Sequence, residues 1–263
     1  MRNVRFYGNR PYTVAVIHGG PGAPGEMAPV ARELAPLMGV LEPLQTKNSL
    51  EGQVRELHDV LAGRAELPVI LIGFSWGAWL SFIVAARYPE MVKKLILLAS
   101  GPFEEKYASS IFGERLNRLT EQERIEIFNL IDIIGGSAPG DKDKSLTRFG
   151  ELCAKADTYA ALTPEEEEPE PLAVSEEINH RVWAEAEKLR ISGELLELGK
   201  KIRCPVVAIH GEYDPHPAEG VRGPLSRVLE DFKFILLEKC GHEPWREKYA
   251  REEFFQILRN ELE

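Results

Sequence analysis

The run Pro68-Val69-Ile70-Leu71-Ile72 constrains the fold more than any other feature of the chain. It is apolar without polar alternation and has the length of a strand, so a strand here must be covered on both faces. Thr13-Val14-Ala15-Val16-Ile17, Val40-Leu41, Leu95-Ile96-Leu97-Leu98, Pro205-Val206-Val207-Ala208-Ile209 and Phe234-Ile235-Leu236-Leu237 are short apolar runs of similar kind. Between them lie stretches with helical spacing. One covers Met27 to Leu37, and one opens at Ser49 and repeats Val54, Leu57, Val60 and Leu61 on one face. Another reaches about Tyr88, and a last amphipathic helix runs from Glu247 to Leu262. Short strands alternating with helices predict an α/β fold with a mostly parallel sheet flanked by helices.

The rhythm stops between Gly101 and Lys200. This stretch has helical pieces such as Ile125, Ile127, Phe128 and Ile131, a polar run from Gly135 to Lys144 that reads as a loop, and no run expected to be a core strand. It also carries Thr163-Pro164-Glu165-Glu166-Glu167-Glu168-Pro169-Glu170-Pro171, whose charge run reads as solvated surface. A chain of 263 residues has room for one large domain or a core with an insertion, and not for two independent enzymes. The expected division is a core of residues 1–100 and 201–263 interrupted by a helical insertion, 101–200.

Charge narrows the partners. Thirty-two Lys+Arg against 42 Asp+Glu give a formal net charge of -10, which repels phosphate backbones and anionic lipid, and no local basic patch overrides it. No window approaches the ~18 apolar residues of a membrane span. The N-terminal segment lacks the apolar stretch of about 7 to 15 residues that a secretory signal needs. The expectation is a cytoplasmic protein without a nucleic-acid or membrane partner. Cys153, Cys204 and Cys240 are far apart, which suits reduced packing thiols and forms neither a disulfide framework nor a zinc ligand set.

The chemistry begins at Gly73-Phe74-Ser75-Trp76-Gly77, a Gly-x-Ser-x-Gly pattern between a buried strand and a helix. That context displays a serine on a sharp, strained turn, and the glycines leave room for the neighbouring strand and helix. The helix N-terminus behind the serine aims backbone N–H groups at any oxyanion that forms. Serine is a poor nucleophile at neutral pH and needs a base, itself held by an acid. Of the histidines beyond the insertion, His242 lies in a Gly-containing loop after an apolar strand and before the last helix, where it can swing over the sheet edge. His210, at a strand end, and His216, between prolines, read as structural. Asp214 lies in the loop after Ile209 and can accept the imidazole N–H; Glu212 is its rival, with Glu104 and Glu105 more distant ones. His210, Asp214 and His216 could also ligate a metal, but no helical i, i+4 pair of histidines or second ligand cluster supports that, and no metal or cofactor is expected.

These residues resemble the α/β-hydrolase superfamily, in the branch typified by proline iminopeptidases. The resemblance rests on His18-Gly19-Gly20-Pro21-Gly22, Gly73-Phe74-Ser75-Trp76-Gly77-Ala78-Trp79-Leu80, His210-Gly211-Glu212-Tyr213-Asp214 and Gly241-His242. It covers the core on both sides of the insertion and nothing inside it. It implies an α/β-hydrolase fold with an inserted helical cap, a catalytic triad of Ser75, Asp214 and His242, and an oxyanion hole from the backbone N–H groups of Gly20 and Trp76. His18 is then a loop-packing residue. Two departures stand out: the segment before His18 is short, so the leading strands of the family look truncated, and the insertion lacks a pattern matching the glutamates with which iminopeptidases grip a free amino group.

The expected function is a cofactor-independent serine hydrolase cleaving a small ester, thioester or amide through an acyl-serine intermediate. Alternatives are a proline iminopeptidase acting on short peptides, a C–C bond hydrolase with the same triad, and a ligand-binding or signalling module with little turnover. Neither substrate nor oligomeric state is legible.

Overall fold

The computed structural model describes residues 3–162 and 172–262; the acidic segment 163–171 lies outside the described residues. Among the described residues the chain forms a seven-stranded sheet: β1 (Val4–Tyr7), β2 (Tyr12–Ile17), β3 (Gly39–Pro43), β4 (Val69–Phe74), β5 (Val92–Leu98), β6 (Val206–Gly211) and β7 (Phe232–Leu237). Their order across the sheet is β1-β3-β2-β4-β5-β6-β7. Only β1 runs antiparallel to its neighbour, and every other pairing is parallel. The mostly parallel sheet is the architecture expected from the apolar runs. The strand β1 was not: Val4-Arg5-Phe6-Tyr7 carries a charge and too few residues to register as a periodic run, and it is held by its register with β3.

Along the buried strands, period-two alternation divides the side chains between two cores. Ala15, Ile17, Leu71, Leu95, Leu97 and Ala208 enter one cluster, while Val14, Val16, Ile70, Ile72, Ile96, Leu98, Val207 and Ile209 enter the other. The first is closed by α2 (Leu50–Arg64) and α3 (Trp76–Arg87), and the second by α1 (Ala28–Leu34) and the last helix, Arg251–Leu262. β4 is buried at all six positions, and each such aliphatic side chain contributes about 1.5–3 kcal/mol when removed from water. Burial on both faces is why its sequence lacks polar alternation. The last helix starts at Arg251 rather than Glu247, because Pro244–Arg246 forms a separate 3₁₀ turn ahead of it.

Between β5 and β6 the described residues contain no strand of the sheet and form α4 (Ile111–Asn117), α5 (Glu121–Ile134), α6 (Lys142–Asp157), α7 (Glu176–Ser192) and α8 (Glu194–Glu197). They divide by packing. Leu119, Ile127, Leu130, Leu152 and Ala156, from α5, α6 and the turn after α4, make a small core of their own. Val182, Ala186 and Leu195, from α7 and α8, join the main core beside α2 and α3. α7 is therefore a roof laid on the core, and α4–α6 a satellite beside it. No helix among the described residues is long and apolar enough to cross a membrane.

Candidate active site

Ser75 stands between the end of β4 and the first residue of α3, with φ 50 and ψ -112, a conformation that side-chain-bearing residues rarely adopt. Its N–H donates to the Leu98 carbonyl at 2.9 Å, which ties the turn to β5. The two flanking glycines have steric causes. A Cβ on Gly73 would collide with the backbone carbonyl of Gly77, and one on Gly77 with the carbonyls of Ile17 and His18. The second collision means that the loop after β2 lies directly against the start of α3. That loop carries Gly20, and the helix start carries Trp76, whose N–H is among the donors a helix leaves without an internal partner. The loop that carries Gly20 therefore packs against the start of the helix that carries Trp76.

The loop is held from beneath. His18 is fully buried; its Nδ1 lies 2.6 Å from the Gly19 carbonyl, and its Nε2 accepts the Gln45 N–H at 3.3 Å. Both ring nitrogens are spent, and burial pushes its pKa down to about 4, so the ring is neutral and packs the loop. The Gly19 N–H donates to Oε2 of the partly buried Glu26 at 3.0 Å. Desolvation, with the nearby Glu243 carboxylate, pushes the Glu26 carboxyl from 4.5 up to about 8. A group raised this way binds a proton in the folded chain that the unfolded chain has already lost, so its contribution to stability falls as pH rises from 4.5 to 8. Glu26→Gln removes that dependence, and its melting temperature relative to wild type is expected to climb across this window and level off above it; parallel melting curves would refute the assignment.

Asp214 sits in the loop after β6 with its side chain at 0% exposure. One carboxylate oxygen, Oδ2, lies 2.7 Å from Nδ1 of His242, and the other, Oδ1, accepts the backbone N–H of His216 at 2.9 Å and faces its Nδ1 at 2.7 Å. His210 approaches Oδ2 at 3.6 Å. Burial alone would raise the Asp214 carboxyl, but His242, His216 and His210 outweigh it and hold the group well below the carboxylate range. For His242, burial favours the neutral ring, and the Asp214 carboxylate overcomes this and raises its pKa above 6.5. The Phe74 ring lies 4.9 Å from the His242 ring, which sets the imidazole beside the residue preceding Ser75. Glu212 is exposed on the same loop, and Glu104 and Glu105 pair with Arg227 and Arg190. The carboxylate at His242 is thus Asp214.

Three supports of this site left no mark in the sequence. The His242 N–H donates to the Asp157 carbonyl at 2.9 Å, at the end of α6, and the Asp157 carboxylate is gripped by Arg115 of α4 at 2.8 and 2.6 Å. Glu247 accepts from Gly241, Tyr159 and Ala160, each at 2.8 Å. His216 touches the carboxylate that its flanking prolines gave no reason to expect. Each is a long-range or loop-geometry contact without a periodic signature. A nitrogen from each of His216 and His242 and an oxygen of Asp214 lie within 4.8 Å of one another, a set able to take a divalent metal. Both Nδ1 atoms face the carboxylate at hydrogen-bonding distance.

A model of the alpha/beta hydrolase family matches residues 15–257. The chain is 23% identical over 215 residues to a pimeloyl-[acyl-carrier protein] methyl ester esterase of Chromobacterium violaceum, covering 78% of this chain and 74% of that protein. It is 24% identical over 194 residues to the protein of the same name from Neisseria meningitidis, covering 71% and 67%. Among solved structures, a bromoperoxidase from Bacillus anthracis superposes with a TM-score of 0.64 at 15% identity, covering 98% of this chain and 94% of the other. At that identity the likeness speaks for the fold alone.

Proposed function

The chain belongs to the alpha/beta hydrolase family, and from that membership we propose that it is a serine hydrolase that cleaves a small carboxylic ester through an acyl-Ser75 intermediate. The observation that carries this reading is the strained Ser75 turn set beside a His242 imidazole bonded to a buried Asp214. In this reading His242 Nε2 takes the Ser75 hydroxyl proton as the oxygen attacks the ester carbonyl. The carbonyl becomes a tetrahedral oxyanion facing the N–H groups of Gly20 and Trp76. Collapse breaks the ester C–O bond, and the departing alcohol takes the proton from His242. Water, deprotonated by the same imidazole, then releases the acid and restores Ser75. Asp214 keeps the proton on Nδ1, leaves the Nε2 lone pair free and steadies the imidazolium.

Ester over amide is supported by the two methyl ester esterases among the relatives. A peptidase acting at a free amino terminus would need a carboxylate at hand for the ammonium. Two further acids near His242 are committed elsewhere: Glu243 pairs with Arg246 at 3.0 Å, and Glu26 holds Gly19. The deciding experiment is turnover across p-nitrophenyl and methyl esters of graded acyl length beside aminoacyl-nitroanilides with free amino termini. Ester turnover without anilide turnover is expected, and the reverse would replace this reading with the iminopeptidase one.

Residues 101–200 act in this account as a cap that sets substrate preference without touching acyl transfer. Of its aromatic side chains, Trp183 of α7 lies 5.7 Å from Trp76 and 5.6 Å from Trp79, next to the nucleophile's turn. Phe149 packs against the satellite core, and Phe128 is 52% exposed on α5. Trp183→Ala is expected to change kcat/KM unevenly between short and long acyl esters, while Phe128→Ala leaves the ratio unchanged. Equal loss on every ester in Trp183→Ala would assign that ring to packing only.

A further inference from the structure

The Asp214 carboxylate has two faces, and each holds an imidazole at the same distance. His242 Nδ1 is 2.7 Å from Oδ2 and His216 Nδ1 is 2.7 Å from Oδ1, and the two rings stack with centroids 4.5 Å apart and planes 26° from parallel. A carboxylate oxygen only accepts, so His216 carries its proton on Nδ1 and donates it to Oδ1. The backbone N–H of His216 donates to that same oxygen at 2.9 Å. His216 is fixed in turn, since the His210 ring, fully buried on β6, donates from Nε2 to its carbonyl at 2.8 Å. Two donors on Oδ1 leave the carboxylate no freedom to turn about its Cβ–Cγ bond. The oxygen left over, Oδ2, is the one aimed at His242.

We infer that His216 is a positioning residue that orients Asp214 and moderates its pull on the His242 proton, in the ester-cleaving reaction proposed above. The donor to Oδ1 draws negative charge away from Oδ2, so the base at His242 is less tightly protonated than a carboxylate without that donor would leave it. The stacked ring also lies against the His242 ring, 4.5 Å between centroids. The charged groups that face His216 are consistent with a neutral donor. Asp214 attracts a second proton to it, whereas the imidazolium form of His242 and Arg115 of α4, paired with Asp157, repel one. Burial is the largest influence, favours the neutral ring, and with that repulsion holds its pKa at about 4. Only one of the two stacked rings therefore carries charge during the reaction, and it is His242.

The variants separate the donor from the ring. His216→Phe keeps a ring in the stack and removes the side-chain donor; His216→Asn removes the ring and places an amide Nδ2–H where Nδ1–H stood. His216→Phe is expected to lower kcat about 10- to 100-fold, the size of a lost hydrogen bond to a charged group, with KM little changed. His216→Asn should recover most of that loss. The His242 titration, followed by NMR in the Ser75→Ala background without substrate, should move to higher pH in His216→Phe and return toward wild type in His216→Asn. That readout holds even if Ser75 proves not to be the nucleophile, so failure of the functional reading and failure of this inference are distinguishable. An unchanged His242 titration in His216→Phe, or equal losses in the two variants alongside a lowered melting temperature, would overturn the inference and leave His216 as loop packing.

Discussion

Ser75→Ala is expected to lower kcat by on the order of 10⁶-fold, the scale on which a serine nucleophile acting as a unit with its base is lost. The fold should survive, because the change removes one oxygen and leaves the turn's backbone bond from Ser75 N–H to Leu98 in place. Steady-state rates and a melting curve on the same preparation check both halves. A variant that folds normally and keeps more than a few per cent of the parent rate would remove Ser75 from the mechanism.

The second large effect is expected at Asp214→Asn, and the two-donor arrangement at Oδ1 fixes its sign. An amide has one oxygen, and the His216 backbone N–H and Nδ1–H both require an acceptor on that side. The amide oxygen must therefore face His216, and its NH₂ must face His242. That NH₂ donates to Nδ1, pushes the imidazole proton to Nε2 and removes the lone pair that would deprotonate Ser75. A wrong tautomer of this kind costs up to ~10⁴-fold in kcat. Glu212→Gln, on the same loop but exposed, should cost little. If Glu212→Gln proved the more damaging, the acid would have been assigned to the wrong carboxylate.

Which parts of this were legible in the sequence follows from the range of the interactions. β4 could be read from composition alone, because burial on both faces leaves an unbroken apolar run. The Ser75 turn was legible because its glycines answer to collisions with backbone on β2 and α3 that no other residue avoids. Asp214 could be favoured over Glu212 on the same loop, but its partners there rest on which side chain turns inward. β1 escaped notice because a four-residue edge strand takes its identity from its partner β3. His216 and Glu26 escaped because their roles are set by loop geometry: one lies two positions after the acid it holds, the other seven after the N–H it accepts. Sequence spacing does not report on which way a loop side chain points. The end of the strand rhythm after β5 could be read from the sequence, yet the division of the described helices there into a roof on the main core and a separate satellite depends on Trp183 meeting Trp76 and Trp79 across more than a hundred residues.

Whether Ser75 is an activated nucleophile is tested by covalent labelling of the folded protein with a fluorophosphonate, followed by mass spectrometry of its peptides. The probe phosphonylates a serine only where a base removes the hydroxyl proton and donors steady the oxyanion. A single adduct is expected on the peptide that contains Ser75, with loss of that adduct in Ser75→Ala and strongly slowed labelling in Asp214→Asn. No labelling of the wild-type protein, or an adduct on another serine that persists in Ser75→Ala, would contradict that role for Ser75.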